Sequence, residues 1–139
     1  MRGKSFLIKV KLKSERAKAY DFCAQKTMYG GKSIAEGDSI FIFASENEGG
    51  SGLIARGVVT AASPTPRKAG PERQTPRVSI AVTRTALAKR RLGRTELRPF
   101  STWQDGRPET ELNFKFYRQA TNKIGGISAE AAAFLGKYF

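Results

Sequence analysis

The sequence predicts an α+β fold: a small, mostly antiparallel β-barrel flanked by short helices. Three observations carry that prediction. Strand-like runs outnumber helix-like ones, and glycine-rich turns join several of them at hairpin spacing. The third is size: 139 residues with 40% apolar and 10% aromatic content supply one continuous core. No internal repeat breaks the pattern, so residues 1–139 read as a single domain.

Phe6 to Lys11 turns from apolar residues to alternation and suits a first strand. Ser14 and Glu15 then offer a helix start, with Ala17, Tyr20, Cys23 or Ala24, and Thr27 at helical spacing. That helix is expected to stop at Gly30-Gly31. Gly37-Asp38 is a turn directly ahead of the strand Ser39 to Ser45, whose β-branched and aromatic content marks burial. Residues 47–52 form a hairpin loop, and Leu53 to Ala61 return as a strand with Gly57 a candidate bulge.

Residues 63–77 carry four prolines among scattered charges and read as a long, exposed, basic loop. Val78 to Val82 restores strand alternation. A short helix is expected over Thr85 to Leu92, a short strand over Arg94 to Arg98, and a polar loop over 101–111. Leu112 to Arg118 reads as another strand, with Phe114 and Phe116 sharing one face as core. Ser128 caps a last helix from Ala129 to about Tyr138, with Ala131, Phe134 or Leu135, and Tyr138 inward.

Composition narrows the function. The chain has no His, which removes Ser-His-Asp and Cys-His nucleophile systems and every imidazole metal site. Cys23 is the sole cysteine, so there is no disulfide framework and no thiolate cluster. Neither a metal nor a cofactor is expected. No apolar run approaches the roughly 20 residues of a membrane span, and no secretory leader is evident, so a reduced, cytoplasmic setting is expected. No Gly-rich phosphate loop of good specificity occurs; Lys32-Ser33 follow paired glycines, but the expected helix precedes those glycines. The acidic pairs Glu36/Asp38, Glu46/Glu48 and Glu109/Glu111 read as solvated turn acids.

Charge carries more information. There are 25 Lys+Arg against 12 Asp+Glu, a net charge of +13, which points to a polyanionic partner. Residues 63–98 hold ten of the cations: Arg67, Lys68, Arg73, Arg77, Arg84, Lys89, Arg90, Arg91, Arg94 and Arg98, against only Glu72 and Glu96. Eight of those ten are Arg, whose planar fork fits phosphate and stacks on bases. They are the candidate phosphate contacts of a bound nucleic acid. Trp103 and Tyr117, both close to Arg residues, are candidate stacking faces for a single-stranded or flipped base.

Several strings resemble the EVE domain and its wider PUA-like group, whose relatives include the ASCH and YTH domains. The strings are Phe22-Cys23-Ala24-Gln25 with Tyr29-Gly30-Gly31-Lys32, then Gly37-Asp38 into Ser39-Ile40-Phe41-Ile42-Phe43, then Ala55-Arg56-Gly57-Val58-Val59. Phe114-Lys115-Phe116-Tyr117 running into Gly126-Ile127-Ser128 completes the set. The resemblance implies a helix-flanked barrel that binds RNA or DNA, with a pocket that holds a modified or flipped base. It places Gln25, Lys26, Thr27 and Tyr29 at the pocket mouth and strand 39–45 as its wall, with Ser45 near the rim. Gln25 or Asn122 would bond the base edge. The EVE start usually carries a Trp, where this chain has Ser5-Phe6-Leu7-Ile8, and Trp103 is the candidate replacement ring. Two other function classes stay open: an ASCH-like amidohydrolase on modified nucleosides using Lys26 and Thr27, since a buried Lys acts as a base without His, and a basic structural RNA- or ribosome-associated protein.

Overall fold

The computed structural model describes residues 5–12, 17–46, 49–64, 77–102, 105–113 and 123–139, with the side chain of Arg94 excepted. In chain order these form β1 (Ser5–Val10), β2 (Ala19–Met28), a single 3-10 turn (Gly31–Ser33), β3 (Ser39–Ala44), β4 (Gly52–Pro64) and β5 (Arg77–Leu87). Then follow α1 (Arg94–Leu97), α2 (Pro108–Asn113), β6 (Lys123–Gly126) and α3 (Ala129–Gly136). The six strands close into a barrel in the order β1-β3-β4-β5-β2-β6. Four seams are antiparallel, as expected, while β1 with β3 and β2 with β6 run parallel.

The apolar runs of β1 and β3 are continuous because both strands are buried on both faces. Phe6, Ile8, Val10, Ile40 and Ile42 point into the barrel with Tyr20, Phe22, Ile54, Val59, Ile80 and Ile124. Leu7, Phe41 and Phe43 point outward into a second core with Leu53, Leu92, Leu97, Leu112, Ala131 and Leu135. The helices therefore cover only one flank of the barrel. The opposite flank, formed by β2, β5 and the far half of β4, turns one face to solvent.

Several elements differ from the sequence reading. Of the helix expected from Ser14 to Gly30, Ala19–Met28 is the strand β2, paired to β5 and β6, and Ser14 and Glu15 lie outside the described residues. Tyr20 and Phe22 alternate inward, their rings stacked at 5.9 Å, and a bulge then intervenes between Phe22 and Gln25. Ala24 takes φ 49° there, and its N–H donates to Ser79 Oγ at 2.8 Å. The extra residue shifts the inward phase to Thr27, and two phases of period 2 imitate helical spacing.

The helix expected over Thr85 to Leu92 is overridden in the same way. β5 continues to Leu87 against Ala55, because a ladder on a long neighbour outweighs a short helix that is marginal by itself. The strand expected over Arg94 to Arg98 is instead α1, where Glu96 Oε1 accepts from the Gly93 N–H at 2.7 Å and Leu97 is fully buried. Inside the expected polar loop, Pro108 opens α2 at a position where its missing N–H costs nothing. α2 also takes Leu112 and Asn113 from the expected strand, whose remaining residues lie outside the described ones. β6 is too short and glycine-rich to read as a strand, yet it closes the barrel. The final helix stands as expected, with the Ala131 N–H donating to Ser128 Oγ. Gly57 does mark a register shift between β4 and β5, and β4 runs on through Pro64 into the segment expected as loop.

Candidate nucleic-acid interface

The residues expected at a pocket mouth fall at the end of β2 and on the turn behind it. Gln25 is half-buried, and its Nε2 donates to the Cys23 carbonyl at 2.9 Å, which folds the amide back on its own strand. Lys26 is exposed and Thr27 is buried. Tyr29 is the one large apolar side chain exposed among the described residues, at 41%. Its backbone has φ 51°, and partial desolvation raises its phenol above the ordinary 10.0. Gly30 and Gly31 turn the chain immediately behind it, and a Cβ on Gly31 would lie 2.1 Å from the Ile124 carbonyl oxygen. That close approach packs the turn against β6 and fixes where Tyr29 projects.

Ser45 stands just past the end of β3. Its N–H donates to the Val10 carbonyl, its carbonyl accepts from Gly50, and its Oγ is buried with no hydrogen-bond partner among the described residues. Round the closed barrel, Thr27 of β2 lies beside Ile124 of β6, Ile124 beside Ile8 of β1, and Ile8 beside Ile42 of β3. Ser45 therefore stands three residues beyond the level of Thr27 and three strands round the wall, a lateral step of about 14 Å at roughly 4.8 Å per strand. Trp103, Tyr117 and Asn122 lie outside the described residues.

The candidate phosphate contacts spread along β5 and past its end. Arg67, Lys68 and Arg73 lie outside the described residues. At the start of β5 the Arg77 guanidinium donates to the Ala24 carbonyl at 3.0 Å, and midway Arg84 donates to the Ala17 carbonyl at 3.2 Å. Past the end of β5, Arg90 donates to the Lys137 carbonyl at 2.7 Å and lies 4.5 Å over the Tyr138 ring. Arg91 pairs with Glu46 at 3.1 Å and Glu96 at 3.6 Å, so part of its charge is compensated. Lys89 and Arg98 are exposed.

Lys89, Arg90 and Arg91 rim an open groove of about 310 Å³ floored by Leu53, Ile54, Leu87 and Ala88. Sequence reasoning missed two basic residues. Arg56 lies 5.1 Å over the Phe139 ring, and Lys123 stands directly beside Lys26. Neither belongs to the Arg-rich block, and only the strand register brings Lys123 to Lys26. No described helix is long and apolar enough to cross a membrane. No group of three or more His, Cys, Asp or Glu is placed to hold a metal among the described residues.

No family model and no curated protein matches the sequence. The fold does match solved structures over nearly the whole chain. The human THYN1 protein in complex with 5-methylcytosine containing DNA superposes with a TM-score of 0.68 at 16% identity, covering 98% of each chain. The DUF55 domain of human thymocyte nuclear protein 1 gives 0.67 at 16% identity, covering 94% of this chain and 95% of that one. A hypothetical protein from Leishmania major gives 0.64 at 15% identity, covering 98% and 94%. The chain thus shares the fold of these structures, a small closed barrel flanked by short helices, as the residue strings imply.

Proposed function

We propose that residues 1–139 act as one nucleic-acid-binding module that reads a modified or flipped base of DNA or RNA beside an Arg-rich phosphate-binding face. The observation that carries this reading is the whole-length likeness of fold to a domain solved with 5-methylcytosine containing DNA, in a chain of net charge +13. Gln25, Lys26, Thr27 and Tyr29 form the base site, and the exposed Tyr29 ring is its stacking face. Trp103, Tyr117, Asn122 and Ser45 remain candidates for the same site. Extruding a base costs a few kcal/mol, and stacking at about 1–3 kcal/mol per base offsets it. The cations along β5 hold the strand that carries the base. The amidohydrolase reading calls for a buried Lys26 as its base, and Lys26 is exposed, so binding is the better supported reading.

Binding of a panel of methylated and unmethylated oligonucleotides, single- and double-stranded, tests the proposal. The logarithm of affinity should fall linearly with log salt, by about 0.7–0.9 per phosphate contacted. Tyr29→Ala should weaken the preferred oligonucleotide most. Affinity indifferent to salt would overturn the polyanion reading; equal affinity across the panel would overturn base selection.

A further inference from the structure

Three cations share one row across three adjacent strands. Lys26 of β2 is in direct register with Arg77 of β5 on one side and with Lys123 of β6 on the other. The next residue of each strand, Thr27, Val78 and Ile124, is buried, so all three cations project from the outer face of the barrel. Side chains in direct register stand about 4.5–5.5 Å apart at Cβ, and like charges placed so destabilise a sheet. Among the described residues no carboxylate pairs with any of the three. The Arg77 guanidinium reaches only the neutral carbonyl of Ala24. This row lies three residues before the exposed Tyr29, which stands just past the end of β2.

We infer that the row Arg77, Lys26 and Lys123 is a phosphate-binding site whose ligand is a backbone phosphate of the nucleic acid, next to the base held at Tyr29. The inference rests on the nucleic-acid reading for the identity of the ligand. A phosphodiester spreads one negative charge over two oxygens, and three neighbouring cationic donors compensate it while it relieves their mutual repulsion. The site has a signature that an ordinary solubilising face lacks. Without ligand the row is a stability cost, so removing one of its charges stabilises the fold and weakens binding at the same time.

The test uses the full chain with Lys26→Gln and Lys123→Gln made singly, and Lys11→Gln, exposed at the end of β1, as the control. At low salt each row variant should melt about 1–3 °C above the parent, with the difference fading at high salt. Each should bind the preferred oligonucleotide about 3- to 10-fold more weakly, with a salt slope smaller by about 0.7–0.9. Lys11→Gln should keep the parental slope. Row variants that melt no higher than the parent and keep its slope would overturn the inference while leaving nucleic-acid binding intact. If the parent binds no oligonucleotide, the nucleic-acid reading fails, and inorganic pyrophosphate decides the row: it should raise the melting temperature of the parent more than that of Lys26→Gln, and equal shifts would overturn the site.

Discussion

Ser128 ties two helices together through one side chain. Its Oγ accepts from the Ala131 N–H at 3.1 Å, and its hydroxyl and N–H both donate to the Glu111 carboxylate of α2. Ser128→Ala should therefore cost more than an ordinary cap. About 1 kcal/mol is expected for the cap, and about 1 kcal/mol more for the half-buried carboxylate left short of a donor; urea unfolding reads the sum. Asp105 is a second local device. The Arg107 N–H, helped by the Thr110 hydroxyl, holds its carboxyl below the usual range. A depressed folded value means the stabilisation is present above the unfolded carboxyl's titration and is lost as pH falls through the folded one. Asp105→Asn should flatten the acid limb of the melting temperature against pH. The Ser128 cap was legible in the sequence because a cap acts over three residues. Its bond to Glu111 was not, since 17 residues separate the partners and Glu111 reads as a turn acid.

At the scale of elements, misreadings cluster where the strand ladder departs from simple alternation. β2 contains a bulge at Ala24, held by a hydroxyl from β5, and no residue type in β2 announces it. The β3 strand and its Gly37-Asp38 turn were legible, because an uninterrupted apolar run behind a left-handed glycine leaves few alternatives; Gly37 has φ 93°. The turn behind Tyr29 shows what a small element contributes. Gly31→Ala would drive a methyl into the Ile124 carbonyl oxygen and prise the turn from β6. A loss of about 2–3 kcal/mol is expected, with weakened oligonucleotide binding in a still-folded protein, since Tyr29 is the residue displaced. Thermal melting and anisotropy on the same sample separate the two effects.

At the scale of the whole molecule, a barrel interior and a helix-covered flank share β1 and β3 as a common wall. Ile42, fully buried in that wall, should cost about 2–5 kcal/mol on truncation to Ala, measured by denaturant midpoint, with the cost at the upper end because neighbours on all sides limit collapse. The same architecture leaves the other flank open and sets Arg77 and Arg84 of β5 about 23 Å apart along the strand at roughly 3.3 Å per residue, while Arg90, past its end, lies against the end of α3. By itself the sequence determined the class of fold, the buried strand β3, the closing helix with its cap, and the large excess of positive charge. Those depend on composition, on apolar runs and on interactions within a few residues. Only the tertiary structure decided that residues 19–28 form a strand, that Lys-Ile-Gly-Gly closes the barrel, and that Lys123 stands beside Lys26 and Arg77. The reason is physical: register between strands is set by pairing across the barrel, between residues up to about a hundred positions apart, and no local pattern encodes it.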